Sequence, residues 1–180
     1  MLFHINYSTL LYMKKIGLIY SFNTNKTSQA ARKIGEEFET GQLDHVNAET
    51  ITEKEFLSYD NLILGVPTWF DGELPNYWDE FVPALEDLDL NGKSVAVFGN
   101  GNQKGYPENF VDGLGIMADL VENRGARLVG FTPVQGYEFE SSKALRGDRF
   151  SGLALDFENQ GSQINSRIKK WAEQLKGEFK

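Results

Sequence analysis

The chain has 180 residues, 41% of them hydrophobic, no cysteine and a formal net charge of −8. This length suffices for one well-buried core and is short for two, so we expect one domain. Without cysteine, disulfides, thiol chemistry and thiolate metal sites are excluded, which fits a reducing cytoplasm. The charge argues against nucleic acid and anionic membranes as partners and suits attraction to a basic protein surface, although solubility alone also explains it.

The first twelve residues, MLFHINYSTLLY, are set apart from the rest of the chain. They are too short to span a bilayer and lack the basic start of a signal peptide. We expect residues 1–12 to be an extension outside the fold, disordered or not native, and residues 13–180 to form the domain.

Strand-like and helix-like segments then alternate. Apolar runs predict strands at residues 16–20, 45–48 (the weakest), 61–66, 94–99 and 127–131. Apolar stripes at helical spacing predict helices that contain Ala31, Ile34 and Phe38; Trp78, Phe81 and Leu85; Phe110, Leu114, Met117 and Val121; and Ile164, Ile168, Trp171 and Leu175. Because the strands are apolar along their length, they predict a parallel sheet covered on both faces, a doubly wound α/β fold.

Ligands of such a sheet bind beyond the carboxyl ends of the strands, near the point where strand order reverses. Three loops lie there: SFNTNKT at residues 21–27, PTWFDGELPNYWDEF after the third strand, and GNGNQKGYPENF after the fourth. We expect any binding chemistry to converge on these loops.

The first loop has the features of a phosphate site. It precedes a helix, whose unpaired N–H groups attract anions, and the hydroxyls of Ser21, Thr24 and Thr27 add donors. It lacks the glycines of a nucleoside-triphosphate loop, and we expect Asn23 or Asn25 to adopt the backbone conformation that glycine usually supplies. A simple helix cap is the alternative for this segment alone.

Aromatic side chains in the other two loops indicate a flat ligand. Trp69 follows a strand outside any periodic pattern, and Tyr106 lies near Gly101 and Gly105. Each alone is typical of an ordinary surface aromatic. Together with a phosphate site they predict a mononucleotide that carries a broad ring held between two aromatics.

These segments resemble the flavodoxin family, long-chain type. LILGVPTW, GELPNYWDEF, GNQKGYPENF and FSGLALDFENQ match the family in order and spacing, and the similarity extends from Lys14 to the C-terminus. The resemblance implies a three-layer sandwich with a five-stranded parallel sheet of order 2-1-3-4-5, whose last strand is interrupted by residues 132–151. It also implies non-covalently bound FMN and a low-potential carrier of single electrons between redox proteins, not an enzyme.

The resemblance further implies roles for individual residues. The phosphate would lie on residues 21–27, Thr68 and Asn100 would line the ribityl chain, Asn102 would meet the pyrimidine edge, and the Phe70–Asp71 peptide would turn its carbonyl toward flavin N5. The full predicted cofactor set is Ser21, Phe22, Asn23, Thr24, Asn25, Lys26, Thr27, Pro67, Thr68, Trp69, Phe70, Asp71, Gly72, Asn100, Gly101, Asn102, Tyr106 and Asn109.

Four of these residues depart from the family pattern. Asn25 stands where Gly is usual, Phe22 where a hydroxyl is common, and Asn102 where Asp is common. Phe70 is bulkier than the usual Gly or Asn, so we expect a more costly peptide turn and a less stabilised one-electron-reduced flavin. The net negative charge is expected to disfavour the anionic, fully reduced flavin and lower its reduction potential.

Two alternatives remain open at this level. A flavodoxin-like FMN-dependent quinone or nitro reductase would need a substrate against a ring that Trp69 and Tyr106 cover, and a binding module that lost FMN would account for Phe22. As an electron carrier, the protein is expected to be a cytoplasmic monomer that serves a ferredoxin/flavodoxin reductase or a low-potential oxidoreductase. The acidic residues that could dock such partners are Asp71, Glu73, Asp79, Glu80 and Glu108.

Overall fold

The computed structural model describes residues 13–180, so the expectation for residues 1–12 lies outside the described part of the chain. The helices are α1 Lys26–Glu36, α2 Glu53–Leu57, α3 Asn76–Asp87, α4 Asp112–Asn123 and α5 Ile164–Glu178. The strands are β1 Ile16–Tyr20, β2 Leu43–Asn47, β3 Asn61–Gly65, β4 Ser94–Asn100, β5 Arg127–Val129, β6 Thr132–Pro133, β7 Leu145–Arg146, β8 Arg149–Phe150 and β9 Leu153–Leu155. Single 3₁₀ turns lie at Pro107–Asn109 and Gly161–Gln163.

The main sheet is parallel and has the predicted order, β2-β1-β3-β4 followed by β5. The last position in the sheet is shared by two short strands. β5 pairs with the first half of β4, where Ser94 lies opposite Arg127, and β9 pairs with the second half, where Phe98 lies opposite Leu153. The predicted interruption of the last strand is thereby confirmed.

Helices cover the sheet on both faces. On one face, α1 and α5 pack through residues such as Ile34 and Trp171 against Leu18 and Ile63. On the other, α2, α3 and α4 pack against Leu62 and the remaining inward residues of the same strands. Side chains of successive strand residues point to opposite faces, so a strand buried on both sides is mostly apolar along its length. The three-layer sandwich is as predicted.

The segment that interrupts the last strand has its own small antiparallel sheet, of order β6-β8-β7. Phe150 anchors it in a cluster with Phe110, Tyr137 and Phe139, at ring separations of 5.1 to 5.9 Å. A Cβ built at Gly115 of α4 would lie 2.3 Å from the carbonyl carbon of Lys143, so helix and insertion are in backbone contact. The insertion is therefore a packed part of the domain.

Some predicted boundaries were wrong. β2 begins at Leu43 rather than His45, β5 ends at Val129, and Phe38 and Phe110 lie just outside the helices to which their spacing assigned them. Both aromatics are buried, so the apolar pattern predicted their burial correctly but placed the helix ends too far out. The short helix α2 was missed because five residues are too few to display a helical period. Within residues 13–180, no helix combines the length and apolarity needed to cross a bilayer.

Candidate functional site

A cleft opens at the carboxyl ends of β1, β3 and β4. A cavity of about 460 Å³ lies over the start of α1, and a second one of about 280 Å³ continues it toward residues 70 and 109. The residues that line one or both are Asn23, Thr24, Asn25, Lys26, Thr27, Pro67, Thr68, Trp69, Phe70, Asn100, Gly101, Asn102, Tyr106, Asn109 and Glu158. The volume of the first cavity is in the range of small-molecule and cofactor pockets.

The start of α1 forms the first end of the cleft. Among residues 13–180, no acceptor receives the backbone N–H groups of Asn25, Lys26 and Thr27, and the Asn25 side chain does not cap the helix. These donors and the helix dipole make an anion site. Asn25 has a φ of −88°, in the right-handed region, and no residue of this glycine-free loop has a positive φ. The expectation that asparagine replaces glycine in a left-handed conformation was therefore wrong, because the backbone path requires no such residue.

Side chains behind the loop hold its shape. The Thr24 hydroxyl donates to the Ser21 carbonyl at 2.8 Å, and the Ser28 hydroxyl donates to the same oxygen at 3.1 Å. The buried Ser21 hydroxyl donates to Glu49, which also accepts from Asn23 Nδ2 at 2.8 Å. Glu49 thus ties the loop to the end of β2, and sequence reasoning missed it because 28 residues separate it from Ser21.

Asn100 presents an unpaired acceptor. Its Nδ2 donates to the Thr27 hydroxyl at 3.0 Å, whereas its buried Oδ1 has no partner among the described residues. Because Thr27 accepts this bond, the proton of its hydroxyl is available to a ligand. A buried carbonyl without a donor is costly, so this oxygen fits a ligand that brings a hydroxyl between β4 and α1.

The aromatic end of the cleft contains Trp69 and Tyr106, which line both cavities. Trp69 is held edge-on by Phe70 and Tyr77, at ring separations of 6.3 and 6.1 Å. Tyr106 is 61% exposed, and its amide donates to the Asn102 carbonyl at 2.9 Å, which closes the loop between them. The two rings are available to cover a flat ligand.

The turn after Trp69 is strained. Phe70 has a φ of +45° and is 72% exposed, while Gly72 has a φ of +93°. Trp69 and Glu73 close the turn by exchanging backbone hydrogen bonds of 2.9 and 2.8 Å. A left-handed conformation is unfavourable for phenylalanine. Phe70 keeps it because the two hydrogen bonds that close the turn impose it.

The loop after β4 uses its polar side chains internally. Asn102 Oδ1 accepts from the amides of Lys104 and Gly105 at 3.2 and 2.7 Å and from Asn159 Nδ2 at 2.9 Å. The predicted role of Asn102 at a ring edge must therefore use its backbone or its Nδ2. The Thr68 hydroxyl likewise accepts from the Gly113 amide at 2.9 Å, which joins the end of β3 to the start of α4.

Fourteen of the predicted cofactor residues line the cleft and four do not. Ser21 is buried behind the loop, Phe22 is 48% exposed and packs on Tyr20, and Asp71 and Gly72 lie in the strained turn. Sequence reasoning missed Glu158, which lines the cleft and forms an ion pair with Lys26. Its position just after the last strand was the available signal, because every strand of a parallel sheet delivers its following residues to this edge.

A parallel sheet of order 2-1-3-4-5, with this cleft at its carboxyl edge, defines a flavodoxin-like α/β protein. The model of the flavodoxin family matches residues 18–171. The chain is 45% identical over 168 residues to a Nostoc flavodoxin, covering 92% of this chain and 98% of that protein. It is 42% identical over 174 residues to a Klebsiella pneumoniae flavodoxin, covering 91% of this chain and 98% of the relative.

The solved structure of Fusobacterium nucleatum flavodoxin bound to flavin mononucleotide superposes with a TM-score of 0.89 and 35% identity, covering 93% of this chain and all of the other. The chain belongs to the flavodoxin family.

Proposed function

We propose that this protein carries single electrons between redox proteins on a non-covalently bound FMN. Family membership, the similarity to flavodoxins and the FMN-bound neighbour support this function. The structural observation that carries it is the polarity of the cleft: at the start of α1 lie N–H donors without an acceptor among residues 13–180, and two aromatics lie at the other end.

The residues fit FMN in three parts. The amides of Asn25, Lys26 and Thr27 would hold the phosphate, aided by the Thr27 hydroxyl. Asn100 Oδ1 would accept from a ribityl hydroxyl, and this bond would satisfy the unpaired buried acceptor. Trp69 and Tyr106 would cover the two faces of the ring.

Bound FMN would supply the redox chemistry, since the protein has no cysteine to supply its own. The protein would exclude water from the ring faces, and its net charge of −8 would oppose electron uptake and lower the potential. With both faces covered, a small substrate has little room to stack on the ring, so the geometry favours the carrier over the quinone or nitro reductase.

The partners that fit this surface are proteins with a basic patch, such as a ferredoxin/flavodoxin reductase or a low-potential oxidoreductase. The net charge of −8 would steer them, and Asp71, Glu73 and Glu108 are exposed on the loops beside the cleft. We infer that the protein works as a monomer in a reducing cytoplasm, a location that its lack of cysteine suits.

The test is a titration of the flavin-free protein with FMN, followed by flavin fluorescence. We expect tight one-to-one quenching, and weaker binding of riboflavin because it lacks the phosphate. Thr27→Ala should weaken FMN binding, whereas Thr50→Ala removes an exposed threonine outside the cleft and should not. A folded protein that fails to quench FMN would refute the proposal, and equal affinities for FMN and riboflavin would refute the phosphate site.

A further inference from the structure

Asp112, the first residue of α4, is a buried carboxylate outside the predicted cofactor set, with 1% of its surface exposed. No basic side chain among residues 13–180 forms an ion pair with it. Burying a charge without a counter-charge is costly unless hydrogen bonds and dipoles offset it. The start of α4 contributes such a dipole, and the rest must come from specific donors.

Two hydrogen bonds connect this carboxylate to different parts of the chain. Asn109 Nδ2 donates to Oδ2 at 3.1 Å, and the Lys143 amide donates to Oδ1 at 2.7 Å. Asn109 lines the aromatic part of the cleft, whereas Lys143 belongs to the insertion between β5 and β9. One carboxylate therefore joins the insertion to the wall of the cleft.

The turn after Trp69 rests on the same pair. A Cβ built at Gly72 would lie 2.6 Å from Asp112 Oδ2 and 2.8 Å from Asn109 Nδ2, so the glycine backbone is in direct contact with both. The non-glycine residues of positive φ in the described chain are Phe70, two positions before Gly72, and Val111, which precedes Asp112. Strained backbone persists where surrounding contacts hold it in place. Here the strained residues Phe70 and Val111 lie close in sequence to Gly72 and Asp112, the two residues in contact.

We propose that Asp112 is a positioning residue for the flavin ring. It fixes the turn at Gly72 and the Asn109 side chain at the aromatic end of the cleft, and its buried charge opposes electron uptake by a ring held there. Through Lys143, the insertion becomes a structural support of the redox site. This inference rests on the proposed function and assigns a role to a residue that need not touch the cofactor.

The first test is a potentiometric titration of the FMN-loaded protein and of Asp112→Asn. Asparagine has the same size and still accepts from Lys143, and the Asn109 amide can turn to keep the second bond, so charge is the main loss. We expect the reduction potential for the second electron to become less negative by at least about 59 mV. This shift corresponds to a tenfold change in the ratio of FMN affinities for the two redox states.

Glu140→Gln is the matched control. It removes an equal charge from an exposed position of the insertion, where solvent and salt screen it, and should change that affinity ratio less than twofold. A folded Asp112→Asn protein with the wild-type potential would overturn the charge role. A wild-type protein that binds no FMN would overturn both this inference and the proposed function.

Hydrogen exchange of the Lys143 amide is a second measurement, and it does not require the Asp112→Asn variant to fold. FMN should slow hydrogen exchange of the Lys143 amide at least fivefold, although Lys143 does not line the cleft. Asn109→Ala cuts the link at a half-buried position and should abolish that slowing. Exchange at Lys143 that ignores FMN in the wild type, or that is slowed equally in Asn109→Ala, would overturn the positioning role.

Discussion

Replacement of Asn100 by leucine should separate ligand binding from folding. The side chains are similar in size, but leucine removes both the donor to Thr27 at 3.0 Å and the unpaired buried acceptor. In the flavin-free protein, the lost hydrogen bond and the removed unsatisfied carbonyl have opposite effects of about 1 kcal/mol each, so the free energy of unfolding should change by less than about 1 kcal/mol. With FMN, a ribityl hydroxyl would lose its proposed acceptor, which should weaken binding by about 1–2 kcal/mol, or roughly 5- to 30-fold.

The assays are urea unfolding of the flavin-free protein and the FMN dissociation constant from fluorescence quenching. Ser151→Ala is the control, since the Ser151 hydroxyl is also buried without a partner among the described residues but lies in the insertion, away from the cleft. It should leave FMN affinity unchanged and raise stability slightly. An Asn100→Leu protein that binds FMN as tightly as the wild type would refute the assignment of Oδ1 to the cofactor.

Three further changes test the local geometry. Phe70→Asn should relieve the left-handed strain at φ +45° and raise the free energy of unfolding by roughly 1 kcal/mol, or the melting temperature by about 2–4 °C. It should also increase the half-reduced fraction of the flavin in a reductive titration. An unchanged melting curve would argue against strain. Burial and a hydrogen bond to a carboxylate raise the pKa of Tyr59 to about 12, so the folded state keeps a proton that the unfolded chain releases near pH 10. Stability should therefore fall as pH rises from about 10 to about 12, and Tyr59→Phe should flatten this fall in urea unfolding; an equal slope would refute it. Gly115→Ala should destabilise by at least about 2 kcal/mol, because its Cβ would meet the Lys143 backbone at 2.3 Å, whereas Gly177→Ala, at an open helical position, should be neutral or stabilising; calorimetry of both variants distinguishes them.

Periodicity was enough to predict a parallel sheet covered on both faces, whereas the strand order and the interrupted last strand followed from the resemblance to the flavodoxin family. Strands such as 61–66, apart from Asn61, are apolar, and helical stripes such as Trp78, Phe81 and Leu85 separate them, which leaves few arrangements other than a covered parallel sheet. The cleft also followed, because the carboxyl ends of parallel strands share one edge and bring loops 21–27, 67–72 and 100–109 together.

Element ends were less predictable than element types. Phe38 follows the end of α1 and Phe110 precedes the start of α4, yet both continue the apolar stripes of these helices, because the buried surface extends beyond the helix ends. In α2, the capping Thr52 hydroxyl accepts from the Glu55 amide at 3.2 Å, and Phe56 alone carries the burial. One buried residue does not make a period.

The sequence by itself determined the parallel sheet, its layers and its ligand-binding edge, because each depends on residue types at regular local spacing. Only the tertiary structure decided that Glu49 holds Ser21, that Asn25 needs no left-handed backbone, and that Asp112 supports the turn at Gly72. Those features depend on contacts between residues that are tens of positions apart or on a backbone path that packing imposes. A spacing rule carries no information about such contacts, because the pairing exists only once the chain has folded.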